Sequence, residues 1–264
     1  IMGTEETSHI TVESDDFSFI YTVIQLLYKL KNHIIINPNL NDSNAPLFSL
    51  LNKIFKEDDK NVCLEKNTKL IYKIITEHYK LKIGDSPGKI LIQILEILNY
   101  EENGHKVNDV WEKSILNNQN LFWNSFNLKQ SYNDFDNHYK KYNRGIISKL
   151  FHGYYLTKRS FPNFNNNIMH FFNYYSVYEL NISYVYRSLN SNGKSKAKIS
   201  LFDCIKFLKE RKIENFYCPC FVCHLIYTLP HFLIFFITKE ENNNNFYGDI
   251  VFEKECDFSS MRNR

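Results

Sequence analysis

The sequence predicts an α+β protein, helical in its first half and stranded in its second. Two observations carry that expectation. Up to about residue 100, apolar side chains recur every three or four positions, the period of a helix with one buried face. From about Ile146, aromatic and β-branched residues crowd together and in places alternate with polar ones, the period of a half-buried strand. Helices first and strands later is the order of a fold that segregates helices from an antiparallel sheet.

The elements follow in chain order. Phe19, Val23, Leu26, Leu27 and Leu30 share a helical spacing, and Ser18 or Asp16 can cap that helix. Pro46 then precedes Leu47, Leu50, Leu51, Ile54 and Phe55, with proline in its tolerated first-turn place. Between Asn67 and Tyr79, the side chains of Leu70, Ile71, Ile74 and Ile75 fall on one side. Gly84-Asp85-Ser86-Pro87 opens a strongly apolar helix through Ile90, Leu91, Ile94, Leu95 and Leu98. Residues 100 to 145 are polar and dotted with aromatics, and read as short helices and loops. Leu150 to Thr157 and Tyr174 to Tyr186 read as strands, with Tyr178, Leu180, Ile182 and Tyr184 alternating with polar positions. Ser200 to Lys212 returns to helix, placing Leu201, Ile205 and Leu208 on one face. Leu229 to Thr238 and Phe246 to Phe252 read as two strands joined across the Asn242–Asn245 turn. Each helical stripe is most simply a core face.

Composition narrows the function classes. A chain of 264 residues can bury a sizeable core, and 44% apolar with 23% charged residues is the balance of a folded domain. The net charge of +3 is small and evenly spread; in Lys206-Phe207-Leu208-Lys209-Glu210-Arg211-Lys212 the basic residues flank an acid, as on a solvated helix face. That gives no direct nucleic-acid signal, which needs cations gathered on one face. No stretch reaches the ~20 apolar residues of a membrane span; Leu229 to Ile237 is interrupted by Pro230 and His231. The N-terminus is acidic, without the apolar core of a secretory signal. Three of six cysteines crowd into Cys218-Pro219-Cys220-Phe221-Val222-Cys223, unlike a secreted disulfide framework. The expectation is an intracellular protein, in nucleus or cytoplasm.

Five segments, in order, carry a family resemblance. Asp16-Phe17-Ser18-Phe19-Ile20-Tyr21-Thr22-Val23-Ile24-Gln25-Leu26-Leu27 resembles a Cys box of pattern N-x-C-Y-x-N-x-x-L-Q-x-L, with Ser18 at the nucleophile position. Asp85-Ser86-Pro87-Gly88-Lys89-Ile90-Leu91-Ile92-Gln93-Ile94-Leu95 is similar to a Q-D-A-x-E-F-L-x-x-L-L helix. Leu150-Phe151-His152-Gly153 is close to L-F-x-G, and Ser200-Leu201-Phe202-Asp203-Cys204-Ile205 to S-L-x-D-C-L. Leu229-Pro230-His231-Phe232-Leu233-Ile234-Phe235 is similar to L-P-x-x-L-x-I, and Ile250-Val251-Phe252 stands where a V-x-F-P strand follows. Together they resemble the ubiquitin-specific proteases, the peptidase C19 family. The resemblance implies that family's papain-like fold: an N-terminal extension over 1–17, a helical thumb over 18–145, and a β palm with fingers over 146–264.

What departs from the family is its chemistry. The nucleophile there is a cysteine thiolate activated by histidine; Ser18 would need a far stronger base. The oxyanion donor, an Asn five residues earlier, becomes Glu13, whose carboxylate opposes a developing negative charge. The small Gly three residues before the nucleophile becomes Asp15, and the G-H-Y segment that carries the base has no counterpart before Arg264. The acidic pair implied to meet the arginines of ubiquitin's tail becomes Ser86 and Lys89; shifted by one, Asp85 survives beside Gly88. A lysine there repels what a carboxylate would bind, which argues against ubiquitin binding in the family's usual mode. The zinc knuckles are half lost: Phe161-Pro162-Asn163-Phe164 replaces the first, while Cys220 and Cys223 preserve the second. Cys218, Cys220, Cys223 and His224 form a candidate zinc set, against buried free cysteines as the plain reading.

The resemblance therefore implies an inactive deubiquitinase-like protein that serves as a protein-interaction scaffold. Two inactive lineages of the family fit. One belongs to the spliceosomal tri-snRNP, a ribonucleoprotein assembly of pre-mRNA splicing, and would place the protein in the nucleus. The other is the pseudo-protease domain of a poly(A) deadenylase subunit. Gly84-Asp85 and the run from Leu229 to Lys239 bring the pattern closer to the first. A non-catalytic ubiquitin reader is a further reading. An active enzyme would use Ser18, or a displaced cysteine such as Cys63, with a histidine from elsewhere.

Overall fold

A computed structural model describes residues 14–34, 44–56, 65–104, 127–161, 167–183, 185, 198–208, 211–213, 220–238 and 249–251. They fall into two compact units, residues 1–107 and 108–264.

The first unit is helical among its described residues. It comprises α1 (Ser14–Lys29), α2 (Pro46–Phe55), α3 (Glu65–Lys73) continuing into one π-helical turn (Ile74–His78), and α4 (Pro87–Asn103). On α1 the buried side chains are Ile20, Val23, Ile24 and Leu27, while Phe19, Leu26 and Leu30 are half-buried. The expected stripe is thus rotated by about one residue. Apolar positions cover a wide arc of this helix, and packing on α3 and α4 selects the centre of that arc. In α3 the amide of Tyr79 donates to the carbonyl of Ile74, five residues back, at 3.1 Å. That π bond adds a residue to the turn. Ile71 and Ile75 are buried as expected, but Leu70 is 38% exposed.

α4 is the central rod, buried on most of its circumference from Gly88 to Glu101. Its start is the one the sequence announces. Ser86 caps the start, Pro87 occupies the first turn, and Gly104 closes the end at φ 68°. Near its C-terminus, Glu101 turns a carboxylate inward. The helix α2 has Ala45 at its N-cap and no side-chain cap of its own, so two of its first amides need partners. Glu101 accepts both, from Leu47 at 2.9 Å and from Phe48 at 2.6 Å, and also accepts the hydroxyl of Tyr79. One buried carboxylate thereby joins α2, the π turn and α4. Burial outweighs the hydrogen bonds and lifts the Glu101 carboxyl to about 7, while the same burial, with Glu101 beside it, pushes the Tyr79 phenol up.

The second unit mixes helices and strands. α5 (Leu128–Tyr142) and α6 (Ile146–Phe151) lead into β1 (Gly153–Phe161), β2 (Asn167–Tyr175), β3 (Tyr178–Asn181) and β4 (Lys198–Ser200). α7 (Leu201–Leu208), β5 (Arg211–Ile213), β6 (Cys220–Thr228), β7 (Phe235–Thr238) and β8 (Asp249–Val251) complete it. The main sheet is antiparallel, in the order β2-β1-β6-β5. α5 lies on β2, where Phe135 and Tyr139 join Leu156, Phe172 and Leu225 in one aromatic-rich core. The Ser131 hydroxyl donates to the His170 carbonyl at 2.7 Å and ties the helix to that strand. A second core gathers Leu180, Ile182, Ile199, Leu201, Cys204, Ile205 and Ile226.

Several expectations are corrected here. Residues 128–142 form one helix rather than short pieces; its buried face is Ser131, Phe135 and Tyr139, so aliphatic periodicity was missing. Leu150 lies in a short helix that ends at Phe151, and the strand starts at Gly153. The second strand spans Asn167–Tyr175, and a bend at Ser176 and Val177 separates it from β3. The expected helix Ser200 to Lys212 stops at Leu208, and Arg211–Ile213 is a strand. Among the described residues the last two strands do not pair with each other, and the Asn242–Asn245 turn lies outside the described residues. β7 pairs with β3 and β8 with β4, both in parallel, and residues before Phe235 are irregular around Pro230, which has no amide hydrogen to donate.

The motif residues have plain structural reasons. Asp203 and Ser200 exchange a reciprocal capping box at the start of α7: the Asp203 amide donates to Ser200 Oγ at 2.9 Å, the Ser200 amide to Asp203 Oδ2 at 3.4 Å. At Gly153 a Cβ would stand 2.6 Å from the Tyr175 ring and 2.7 Å from the Thr228 carbonyl, so only glycine fits between β2 and β6. His152 is buried beside it, stacked on Tyr174, with Nδ1 bonded to the Tyr139 hydroxyl at 2.7 Å. Burial holds that imidazole down at about 3, hence neutral.

Two outcomes follow for stability. Glu101→Ala strands two buried amides and a phenol and should cost about 2–4 kcal/mol in urea denaturation. Because the folded carboxyl titrates near 7 against 4.5 unfolded, stability should fall as pH rises from about 4.5 to about 7, and Glu101→Gln should flatten that slope. Gly153→Ala should lower the melting temperature by several degrees, about 1–3 kcal/mol of overpacking against a backbone carbonyl that cannot yield.

Candidate functional site

The Cys-box segment forms most of α1 and puts Ser18, Tyr21, Thr22 and Gln25 on its exposed side. Ser14 begins that helix, so neither Ser18 nor Asp16 is its cap; Ser18 is the fifth residue and lies in the second turn. Only the first four amides of a helix lack partners within it. The Ser18 amide is therefore used by the helix and is not presented to a developing oxyanion. Its carbonyl accepts the Thr22 hydroxyl at 3.0 Å, and its side chain is exposed. Gln25, which matches the family pattern, donates to the Tyr21 hydroxyl at 3.0 Å on the same face. Among the described residues no imidazole hydrogen-bonds the Ser18 hydroxyl. Glu13 and Cys63 lie outside the described residues.

The segment matched to the ubiquitin-tail helix is the start of α4. Asp85, Ser86 and Lys89 are brought together there, and each has a partner in the turn itself. Ser86 Oγ accepts the Lys89 amide at 3.4 Å, and Lys89 Nζ reaches Asp85 Oδ1 at 2.7 Å. Hydrogen bonding from Lys89 draws the Asp85 carboxyl below its usual range. Gln93, one turn on, pins the incoming chain from inside: it accepts the Gly84 amide at 2.9 Å and donates to the Lys82 carbonyl at 2.7 Å. The chain passes so close that a Cβ on Gly84 would stand 2.8 Å from Lys89 Cβ and 3.0 Å from the Ile90 amide. A carboxylate and an ammonium already paired at an exposed helix start leave little net charge for a third group.

The candidate zinc ligands are divided. Cys220, Cys223 and His224 lie on β6, opposite Ile213, Lys158 and Thr157 in register. Cys218, Pro162, Asn163 and Phe164 lie outside the described residues. Among the described residues no three His, Cys, Asp or Glu side chains converge as a metal site. No described helix is long and apolar enough to cross a membrane.

Comparison with known proteins bears on the fold. No protein-family model matches the sequence, and no curated protein matches it. Solved structures do. The yeast SAGA DUB module with a mutant Sgf73 superposes with a TM-score of 0.56 at 14% identity, covering 95% of this chain and 52% of that one. The fold is ubiquitin-specific-protease-like. A SAGA Ubp8 DUB module with truncated Sgf11, Sus1 and Sgf73 gives 0.58 at 13% identity over 100% of this chain and 56% of that one. The Ubp8 module bound to monoubiquitin gives 0.55 at 14% identity, covering 95% and 53%. This chain spans about half the length of the chains it matches. The α+β ubiquitin-specific-protease-like architecture agrees with the five segments that resemble the family.

Gln93 lies within the segment similar to the family helix, and its tie to Gly84 and Lys82 becomes visible only in the structure. A glutamine one turn inside a helix, just after a Gly-Asp-Ser-Pro start, is the signal that marks such a tie. Ser86→Ala should cost about 0.5–1 kcal/mol by removing the cap, and Gln93→Ala more, on the order of 1–3 kcal/mol, by orphaning the Gly84 amide, both read from chemical denaturation.

Proposed function

We propose that this chain is a catalytically inactive ubiquitin-specific-protease-like protein that docks other proteins. Position 18 carries the reading. Where the resemblance expects a cysteine thiolate, the chain has an exposed hydroxyl in the second turn of α1, with its amide consumed by the helix. A serine hydroxyl ionises far less readily than a thiol and attacks only when a base takes its proton. No imidazole among the described residues is bonded to it. The start of α4 supports the same reading, since Asp85 and Lys89 pair with each other where a ubiquitin tail would need carboxylates.

The similar solved structures are modules in which such a fold is assembled with Sgf11, Sus1 and Sgf73, which favours protein partners for this chain too. Of the assemblies considered, the spliceosomal tri-snRNP suits the sequence pattern best and would place the protein in the nucleus. Purification of tagged protein from its own cells should recover a stable partner; recovery of the bait alone counts against docking. A ubiquitin electrophile probe should leave the protein unlabelled. Labelling that disappears in Ser18→Ala, or chemical-shift changes in labelled ubiquitin on titration, would overturn inactivity or loss of ubiquitin binding respectively.

A further inference from the structure

In the second unit, a groove of about 780 Å3 lies where the C-terminal half of α5, the α5–α6 corner and the start of β1 meet. Tyr139 and Tyr154 form an aromatic wall, edge to face with centroids 5.0 Å apart, and Tyr132 continues it. Lys140, Arg144 and Lys149 line the groove against a single carboxylate, Asp136. Asp136 is bonded to Lys140 at 2.6 Å, and Arg144 Nε donates to the Lys140 carbonyl at 2.8 Å, so the rim is held in place by its own contacts. The lining carries three cations and one carboxylate, and Lys140 is the cation that Asp136 pairs. His152 in the lining adds no charge, being buried and neutral.

The phenols complete the chemistry. The hydroxyls of Tyr132 and Tyr154 make no hydrogen bond among the described residues, and burial, with Asp136 nearby, keeps both protonated. They are hydrogen-bond donors in a lining that holds more cations than carboxylates. We infer that this groove docks an acidic segment of a partner protein, its carboxylates on the Lys149 side and an aromatic or aliphatic side chain against the tyrosine wall. The inference rests on the docking role proposed above and names the chemistry of the partner. Small organic ligands are buried over most of their surface, whereas this groove is open along its length. A nucleic-acid strand needs a row of cations tracking its phosphates, and three cations, one of them paired with Asp136, make no such row.

Selection from a random peptide library against the intact protein tests it. Enriched sequences should carry Asp or Glu beside an aromatic or aliphatic residue. A synthetic peptide of that kind should lose about tenfold in affinity on Lys149→Glu and weaken as salt is raised. Lys149 is exposed, so the variant should melt like the wild type; Lys149→Ala, with a smaller loss, guards against a folding defect. Peptides without acidic residues, no enrichment, equal binding by Lys149→Glu, or displacement of the peptide by single-stranded oligouridylate would each overturn the inference. A cellular partner recovered equally by wild type and Lys149→Glu would remove this groove and leave the docking role intact. No partner for either protein would instead remove the docking role, and the peptide selection would still decide the groove.

Discussion

The buried carboxylate of Glu101 is the interaction on which the helical unit depends. A helix that starts inside a protein must find partners for its first amides, and α2 has only Ala45 and Pro46 with which to begin. Glu101, far along the chain on α4, supplies the missing acceptors and at the same point holds Tyr79 at the end of the π turn. Burying a carboxylate is unfavourable unless its oxygens are bonded, and here they accept three donors from two other segments. The cost of desolvation survives as a carboxyl lifted to about 7. A polar group in that place also imposes order: α2, the π turn and α4 can meet in one arrangement without orphaning a donor.

The sheet unit obeys a steric constraint. β1 runs between β2 and β6, and at Gly153 the Tyr175 ring crosses it to reach the Thr228 carbonyl at 3.2 Å. Glycine leaves room for that crossing, and His152 turns the other way to stack on Tyr174 and bond Tyr139. Tyrosine supplies most of the ring contacts of this core, so its hydroxyls must be placed as well as its rings. That requirement leaves the groove beside α5 lined by phenols rather than by aliphatic side chains.

The candidate site illustrates what a motif conceals. Asp85, Ser86 and Lys89 line up with positions that handle a ligand in the resembling family, yet here they build a helix start: a cap, an ion pair and a pinned approach. Ser200 and Asp203, in a segment that resembles a family landmark, are a capping box. Family likeness and structural necessity select some of the same residues, because a fold inherits its caps and close approaches along with its chemistry.

By itself the sequence determined the helices-then-strands order, the starts of α2 and α4, and the fold class, because proline and cap residues act within a few positions of where they stand. It also determined that position 18 carries a hydroxyl. Three things were decided only by tertiary structure. The length of α5 and the start of β1 were hidden because aromatic burial has no clean period in a polar segment. The parallel partners of β7 and β8 were hidden because strand pairing joins residues more than 50 positions apart. The depth of Ser18 in its helix, and the capture of the α2 amides by Glu101, depend on contacts made in space, which no local pattern encodes.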